Sequence, residues 1–391
     1  MILGASKLQI PAIRKARDMG VYTIVLDINP NAEGLKLADH FELVSTIDTA
    51  KVLESAKRNN INGIMTIASD RPMNTIASVS KTLGLTSISE DTALKATNKF
   101  HMRNALKKSE VPIPFYFYAK SLDYVLGNIE LLKFPMIIKP DDNSGSRGIT
   151  LVEKFDLKNI TNAFDYAQKN SINGGVLFEE YMQGPEVSVE SITIDCKTYV
   201  LAITDKITTG SPHFVELGHS QPSILSENIR KAISDITIKT INAIGITNGP
   251  SHTEIIVTNE GPKVVEIGAR MGGDYITSHL VPLSTGIDML EAVINLTIGN
   301  YPNIIPKFSN GSSIKYFNFR QGKVHNIYDK ITETDMKNLV EYNINVSIGD
   351  TIKPIENSSG RYGHVICRGE TVFEAQEYTS KYIEKIIIEY T

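Results

Sequence analysis

The chain has 391 residues, with 40 lysines and arginines against 44 aspartates and glutamates, and a formal net charge of −4. This length exceeds one ordinary hydrophobic core and favours about two to four domains. The slightly acidic balance, without a basic stripe, argues against electrostatically driven binding to nucleic acid.

Three further features bear on the type of protein. The apolar run before Lys7 is too short for a signal peptide, and no stretch approaches the length of a membrane span. The two cysteines, Cys196 and Cys367, lie far apart and lack metal-ligand spacing. We therefore expect a cytoplasmic protein without a membrane partner, a disulfide framework or a zinc site.

The N-terminal 90 residues alternate short apolar strands with helical patterns. Strands are predicted at 2–3, 21–27, 41–44 and 64–68, with helices at 7–19, 49–60 and 72–83. This order predicts a parallel, Rossmann-like α/β sheet. The turn that begins at Gly4 lacks the second and third glycines of a dinucleotide fingerprint, although Asp27 ends the second strand. We favour a substrate-side domain and keep an NAD-dependent enzyme as an alternative.

A candidate phosphate site follows a helix predicted over residues 91–109, which contains Lys99. A short apolar strand ends in Lys139 and runs into a small-residue loop before a strand at 149–152. The loop residues of interest are Ser144, Gly145, Ser146 and Gly148. Backbone N–H groups of such a loop can surround phosphates while Lys139 supplies a point charge. A plain hairpin turn is the competing interpretation.

A second candidate site lies at a bend between two β segments. The strand from Val176 runs through Glu179, Tyr181 and Met182 into Gly184-Pro185, and Glu186 precedes a strand at 187–194. Backbone groups at this bend can meet an adenine edge, and an acid after it can meet ribose hydroxyls. A β-turn with exposed acids is the alternative.

The rest of the chain supplies a loop at 213–222 with two histidines, His213 and His219, and helices predicted at 226–244 and 287–298. The last eighty residues alternate strands with turns before a helix near 374–382. This pattern predicts a small α+β module at the C-terminal end of the chain.

Two apolar runs, 252–258 and 263–267, are joined by Asn259-Glu260-Gly261 and predict a β-hairpin. A three-residue loop pairs 258 with 262, 256 with 264, and Glu254 with Glu266. Like charges facing each other on a sheet are destabilising, and the neighbours on this face offer no cation. A divalent ion such as Mg²⁺ would resolve the repulsion. A shifted register, or two solvated acids, is the alternative.

The residues after Glu266 extend this pattern. Arg270 is followed by Gly272 and Gly273, so that a cation and open backbone N–H groups could meet an anion beside the metal. A strand-to-helix turn with a surface arginine is the competing interpretation.

The order of these motifs resembles the ATP-grasp superfamily over the whole chain, and within it the carboxylate–amine ligases. The L-amino-acid ligases and the glycinamide ribonucleotide synthetases are the most similar groups. The resemblance implies an α/β and α+β multidomain protein with an ATP-grasp fold. It divides the chain into a pre-ATP-grasp, Rossmann-like domain at 1–90, an ATP-grasp domain at 91–300 with a lid at about 112–184, and a C-terminal α+β module at 301–391.

The resemblance also implies roles for individual residues. Lys99, Lys139 and the loop with Ser144, Gly145, Ser146 and Gly148 would contact ATP phosphates. Glu179 would meet the adenine amino group, Tyr181 and Met182 the ring edge, and Glu186 the ribose. Glu254 and Glu266 would bind Mg²⁺ or Mn²⁺, and Arg270 would act with Lys139 in catalysis. Lys206, Glu216, His219, Gly272 and Gly273 lie where relatives bind substrate. Gly268 stands where the family pattern more often has a metal-binding Asn, so the number of metal ions stays open.

The implied activity is ATP-dependent amide formation through an acyl phosphate, with amino acids as the expected carboxylate and amine. One alternative is glycinamide ribonucleotide synthesis, for which Arg14, Arg71 and Arg361 are candidate phosphate ligands. Another is a nucleotide-binding protein without catalysis. A homodimer is the commonest default assembly.

Overall fold

The computed structural model describes residues 1–143, 145 and 147–391. The N-terminal α/β alternation is confirmed: three parallel strands pair in the order β1-β2-β3. The elements are β1 (Ile2–Leu3), α1 (Ile10–Asp18), β2 (Ile24–Leu26), β3 (His40–Glu42), α2 (Thr49–Arg58) and α3 (Met73–Leu83). The strand predicted at 64–68 takes part only through isolated parallel bridges, Ile2 to Met65 and Ile67 to Met271. This segment therefore links the N-terminal sheet to the residues that follow the predicted hairpin.

The single helix predicted over residues 91–109 is wrong, because the chain forms two helices, α4 (Glu90–Thr97) and α5 (Lys99–Lys108). Asn98 between them is extended, and its side chain accepts the backbone N–H of His101 as an N-cap. The break places Lys99 at the first position of α5. Its backbone N–H then donates to the Asp141 carbonyl at 2.6 Å.

A four-stranded sheet forms the region predicted as the lid. Its elements are β4 (Tyr116–Ala119), α6 (Leu122–Leu126), β5 (Met136–Pro140), β6 (Thr150–Val152), α7 (Leu157–Lys169) and β7 (Val176–Glu180). The strands run in the order β4-β7-β5-β6. Helix α7 packs on this sheet, and Phe164 joins Phe178, Met136 and Ile138 in one separate buried cluster. Apolar alternation in the strands and the helical period of α7 explain this core.

The central part of the chain builds a long antiparallel sheet and the helices behind it. These elements are β8 (Glu186–Ile194), β9 (Lys197–Thr208), β10 (Glu216–Gln221), α8 (Glu227–Ile244), β11 (Gly249–Thr258), β12 (Gly261–Gly268), α9 (Val281–Thr285) and α10 (Met289–Thr297). Among the described residues, no single helix is long and apolar enough to cross a membrane. The segments Ile276–Thr285 and Met289–Thr297 reach that length and apolarity only together, across a bend of 116°.

The C-terminal residues continue the same sheet. Their elements are β13 (Gly311–Tyr316), β14 (Gly322–Asp329), β15 (Leu339–Ile344), β16 (Thr351–Ile352), β17 (Gly363–Gly369), α11 (Val372–Ile383) and β18 (Ile386–Tyr390). Eight strands follow the order β12-β11-β8-β9-β10-β13-β17-β15, while β16-β14-β18 form a smaller sheet. Backbone pairing between β10 and β13 thus joins the C-terminal residues to the central ones. The domain boundaries at 90 and 300 stay a prediction.

Candidate active site

One cavity of about 810 Å³ lies where the four-stranded sheet, the eight-stranded sheet, the N-terminal region and the C-terminal residues meet. Most of the residues predicted for the site line it. They are Lys99, Lys139, Gly145, Glu179, Tyr181, Met182, Glu186, Lys206, Glu216, His219, Glu254, Glu266, Arg270 and Gly273. Gly148 and Gly272 are not among the lining residues, and Ser144 and Ser146 lie outside the described residues. Residues scattered over the sequence therefore meet in one place.

The hairpin brings Glu254 directly opposite Glu266, as predicted, but by another register. The predicted pairs 258–262 and 256–264 are wrong: Thr258 pairs with Gly261, so the turn has two residues instead of three. A β-bulge at Val265 inserts one extra residue into β12 and restores the pairing of the two acids. The opposed acids thus depend on a bulge that the alternating pattern did not reveal.

The two acids do have cations, which come from outside the hairpin. Lys99 donates to Glu266 Oε1 at 2.8 Å, and Lys206 donates to Glu254 Oε1 at 3.0 Å. The side chains of both lysines are almost fully buried. They come from α5 and β9, which are remote in sequence from the hairpin, so inspection of neighbouring hairpin residues could not find them.

Lys206 is surrounded by three carboxylates. Its Nζ lies 2.6 Å from Glu186, 3.0 Å from Glu254 and 3.7 Å from Glu216. Burial alone would lower the pKa of Lys206, but the three acids raise it well above the ordinary value. Burial would raise the pKa of Glu254, but the charge of Lys206 and the contact with His252 hold it well below its usual range. Lys206 thus connects the residues predicted for ribose, metal and substrate.

Arg103, which the sequence interpretation missed, is fully buried one helical turn after Lys99. Its Nε and Nη2 donate to Glu179 at 2.7 and 3.1 Å, and Lys139 Nζ lies 2.6 Å from the same carboxylate. Burial would raise the pKa of Glu179, but these two cations lower it to about 2. Nη2 of Arg103 also donates to the Val265 carbonyl at 2.7 Å. Arg103 therefore holds Glu179, the partner of Lys139, and the bulge that aligns the facing acids.

Lys99 Nζ donates at 2.7 Å to the carbonyl of Asn143, which precedes the small-residue loop in the sequence. Gly145 lines the cavity with a left-handed φ of 70°. Gly148 has a φ of 80°, and a Cβ there would lie 2.8 Å from the Asn170 Cβ. Glycine at 148 is thus explained by backbone conformation and packing. Contacts of this loop with phosphate stay a prediction.

The bend predicted to meet adenine also lines the cavity. The Tyr181 N–H donates to the Pro135 carbonyl at 3.2 Å, and the Tyr181 ring lies 6.1 Å from the Phe214 ring. Met182 is buried. Both carboxylate oxygens of Glu179 are bonded to cations, so an adenine contact by Glu179 stays a prediction.

Arg270 forms a two-point ion pair with Asp70 from the N-terminal region, a residue that the sequence interpretation did not select. Nε and Nη2 donate to the two carboxylate oxygens at 2.8 and 2.9 Å. Burial would raise the pKa of Asp70, but the charge of Arg270 keeps it below the ordinary aspartate value. Arg270 is therefore a cavity residue with a fixed orientation.

Gly272 packs against a second buried pair. His252 Nδ1 bonds to Glu190 Oε1, and the Gly272 N–H donates to Glu190 Oε2 at 3.3 Å. Burial would lower the pKa of His252, but Glu190 raises it to about 9. A Cβ at Gly272 would lie 2.7 Å from His252 Nδ1 and 2.8 Å from Glu190 Oε1. The structure thus gives a packing reason for glycine at this position, and substrate contact there stays a prediction.

The end of the cavity formed with the C-terminal residues contains a cluster around Asp274. Arg361 donates to its two oxygens at 2.7 and 2.6 Å, and His219 Nε2 lies 3.3 Å away. Arg361 and His219 keep the pKa of Asp274 far below its usual range despite burial. Arg361 also stacks over the Tyr316 ring at 3.7 Å. Among the described residues, His219 Nδ1 and the Tyr316 hydroxyl are buried without a hydrogen-bond partner.

The facing acids are candidate ligands for a metal. In residues 1–143, 145 and 147–391 there is no cluster of three or more His, Cys, Asp or Glu arranged to hold an ion. Glu254 and Glu266 fit Mg²⁺, which commonly uses one or two carboxylates plus waters and substrate phosphates. Their side chains are 24% and 30% exposed, so the cavity can reach them.

Two family descriptions match the chain. Residues 132–278 match the ATP-grasp domain, and residues 315–391 match the L-amino acid ligase C-terminal domain 2. The chain contains an ATP-grasp domain and an L-amino acid ligase C-terminal domain. The predicted family, fold class and ligase chemistry of the carboxylate–amine type are confirmed, and ATP is the nucleotide that this family uses.

Individual relatives agree with this ATP-grasp assignment. The chain is 26% identical to a phosphoribosylamine–glycine ligase of Methanococcus vannielii, over 78% of this chain and 73% of the relative. It is 26% identical to an L-arginine-specific L-amino acid ligase of Bacillus subtilis, over 69% of this chain and 66% of the relative.

Two solved structures share the ATP-grasp fold over 100% of this chain and 98% of their own. An L-amino acid ligase from Bacillus licheniformis has a TM-score of 0.84 at 21% identity. A phosphoribosylglycinamide synthetase from Anaerococcus prevotii has a TM-score of 0.80 at 22% identity. These two likenesses concern the fold alone.

Proposed function

We propose that this ATP-grasp ligase joins the carboxylate of one amino acid to the amine of a second, releasing ADP and phosphate. The observation that carries the proposal is the continuous cavity. It runs from the lysines at the small-residue loop, past Glu254 and Glu266, to Arg270 and the Asp274–Arg361 pair. A nucleotide and two small substrates can therefore lie in line, with phosphate beside the cations and the reacting carboxylate beside Arg270.

The chemistry balances in two steps. A carboxylate oxygen attacks the γ-phosphorus, forming an O–P bond as the bond to the ADP oxygen breaks. The amine nitrogen then attacks the acyl carbon, phosphate leaves with the electron pair of the broken C–O bond, and the amine loses a proton. Activation is required because a free carboxylate is a poor electrophile. Positioning and neutralisation of charge are the main tasks of the protein in phosphoryl transfer.

The residues divide these tasks by location. Lys99 and Lys139 lie at the phosphate end and would neutralise transferring oxygens, and Arg270 would hold the acyl phosphate. Glu254 and Glu266 would hold Mg²⁺, which supplies charge neutralisation and alignment of the phosphates. A closed cavity would keep water from hydrolysing the acyl phosphate before the amine attacks.

Glycinamide ribonucleotide synthesis is the competing function, supported by similarity to phosphoribosylamine–glycine ligases. It would need a basic pocket for a phosphosugar. Of the candidate arginines, Arg361 lines the cavity, and its guanidinium is bonded to Asp274. Arg14 lines a separate surface pocket with Arg17 and Tyr22. This arrangement favours amino acids over a phosphosugar as the amine.

The test is ADP release measured with a panel of amino acids, singly and in pairs, with products identified by mass spectrometry. The proposal expects ADP release that depends on a carboxylate and a dipeptide-like product from a pair. Glycine with phosphoribosylamine is the matched alternative pair, and turnover limited to it would favour the competing function. ATP binding without ADP production under any condition would contradict both.

Location in the cytoplasm and association as a homodimer are further proposals. Sedimentation of the purified chain with and without nucleotide measures the second of these, and a monomer at assay concentration would remove it.

A further inference from the structure

The orientation of Arg270 is set by a residue 200 positions earlier in the chain. Asp70 takes the Nε and Nη2 edge of the guanidinium, and Nη1 donates to the Met271 carbonyl at 3.3 Å. A guanidinium carries five N–H donors in a rigid plane. Two are used by Asp70, so the plane is fixed while other donors stay available to an anion in the cavity.

The backbone around Asp70 is itself held in place. Ile67 forms a parallel bridge with Met271, and the Ala68 N–H donates to the Met271 carbonyl at 3.2 Å. The Asp70 carbonyl accepts the Met73 N–H at the start of α3. Ala68 has a left-handed φ of 60°, which is uncommon for a residue with a Cβ. The segment that carries Asp70 is thus docked against the residues next to Arg270.

Gly268 provides the space for this pair. A Cβ at position 268 would lie 3.0 Å from Asp70 Oδ1 and 3.2 Å from the Arg270 Cζ. No left-handed φ explains glycine here, because Gly268 is absent from the positive-φ glycines among the described residues. Close packing against the ion pair is therefore the physical reason for glycine at 268.

We propose that Asp70 is a positioning residue that aims Arg270 at the reacting phosphoryl group, which makes the N-terminal region part of the reaction centre. The inference rests on the proposed function, since Arg270 must hold the transferring group for its aim to matter. Asp70 acts through Arg270, and Gly268 permits the contact. A misplacement of about 1 Å at a catalytic group can cost on the order of 100-fold in rate.

The experiment compares Asp70→Asn, Gly268→Ala and Arg270→Ala with wild type in carboxylate-dependent ADP release. Asp91→Asn is the matched control, because Asp91 lies exposed on α4 and pairs only with Lys95 in the described structure. The inference expects kcat to fall by about 10- to 100-fold for Asp70→Asn and by a smaller factor for Gly268→Ala. The KM for ATP should change less than about threefold, because Asp70 acts on the phosphoryl step and not on nucleotide binding.

A double mutant separates positioning from a general structural role. If Asp70 acts through Arg270, the double mutant Asp70→Asn, Arg270→Ala should have the same kcat as Arg270→Ala alone. A kcat lower in the double mutant than in Arg270→Ala would overturn the inference, and so would a kcat of Asp70→Asn equal to that of wild type. So would a fall in melting temperature that parallels the fall in kcat in both Asp70→Asn and Gly268→Ala. Wild type without carboxylate-dependent ADP release would remove the proposed function and the inference together, whereas active wild type beside an equally active Asp70→Asn removes the inference alone.

Discussion

Glu254 lies directly opposite Glu266 across the hairpin, and each carboxylate is bonded to its own buried lysine. The structure therefore tolerates the facing acids through Lys206 and Lys99, without requiring a metal for the fold. A metal that binds the two acids would compete with the lysines for the same oxygens. The lysines would then be available to phosphate, which links charge pairing in the free site to nucleotide binding.

Replacing Glu266 by Gln should abolish most turnover while the fold persists. The amide oxygen can still accept from Lys99, so the free energy of unfolding should change little. The lost carboxylate removes half of the proposed metal site, and turnover should fall by about 100-fold or more. ADP release at saturating substrate measures the rate, and urea unfolding measures the fold. Near-normal turnover would remove Glu266 from the metal site.

Replacing Lys206 by Met should destabilise the metal-free protein by about 3 kcal/mol, because three partly buried acids lose their shared cation. The same change should make millimolar Mg²⁺ raise the melting temperature more than it does in wild type, since a cation now relieves the repulsion. Lys231→Met is the control, because Lys231 is exposed and pairs with Asp235. Equal Mg²⁺ shifts in wild type and Lys206→Met would contradict this expectation.

Replacing Arg103 by Met should cost about 3–5 kcal/mol of stability, because a buried guanidinium that binds Glu179 is removed. The Val265 carbonyl also loses its donor, so the alignment of Glu266 should suffer and turnover should fall beyond the loss of stability. Arg58→Met on the exposed face of α2 provides the control. A variant as stable as wild type would show that the ion pair contributes little.

The free energy of unfolding should depend on pH in part through the protonation of Glu179. Its pKa is about 2 in the folded protein against 4.5 for the ordinary value, so the unfolded chain binds the proton more tightly. The stabilisation is present above pH 4.5 and is lost as pH falls towards 2, by an amount on the order of 3 kcal/mol. Urea unfolding at pH values from about 2.5 to about 6.5 should show that the free energy of unfolding changes less steeply with pH in Glu179→Gln than in wild type. An identical pH dependence in the two proteins would show that groups other than Glu179 cause the loss of stability at low pH.

Replacing Gly272 by Ala should cost about 1–3 kcal/mol, because the new Cβ overlaps the Glu190–His252 pair. Gly360→Ala is a matched control, since a Cβ there meets nothing within 4 Å. Thermal unfolding of the two variants measures the difference. Equal stability would show that the pair can shift at little cost.

The sequence was enough to predict the elements that are determined by neighbouring residues in the chain. The alternation of strands and helices over residues 1–90, the hairpin, and the C-terminal helix follow from apolar periodicity and turn residues. The break at Asn98 and the bulge at Val265 escaped prediction for a physical reason. Asn98 is fixed by a cap and by Asp141, and Val265 is fixed by Arg103, and both contacts involve tertiary neighbours.

For the site, the sequence by itself determined the chemical types: two opposed acids, lysines beside a small-residue loop, and an arginine after a strand. Only the tertiary structure decided their partners, such as Asp70 for Arg270, Arg103 for Glu179 and Lys206 for Glu254. Periodicity reports which face of an element a side chain occupies, but Coulomb attraction depends on distance in space. Charges separated by up to 200 residues in the chain approach within hydrogen-bonding distance only once the sheets have packed together.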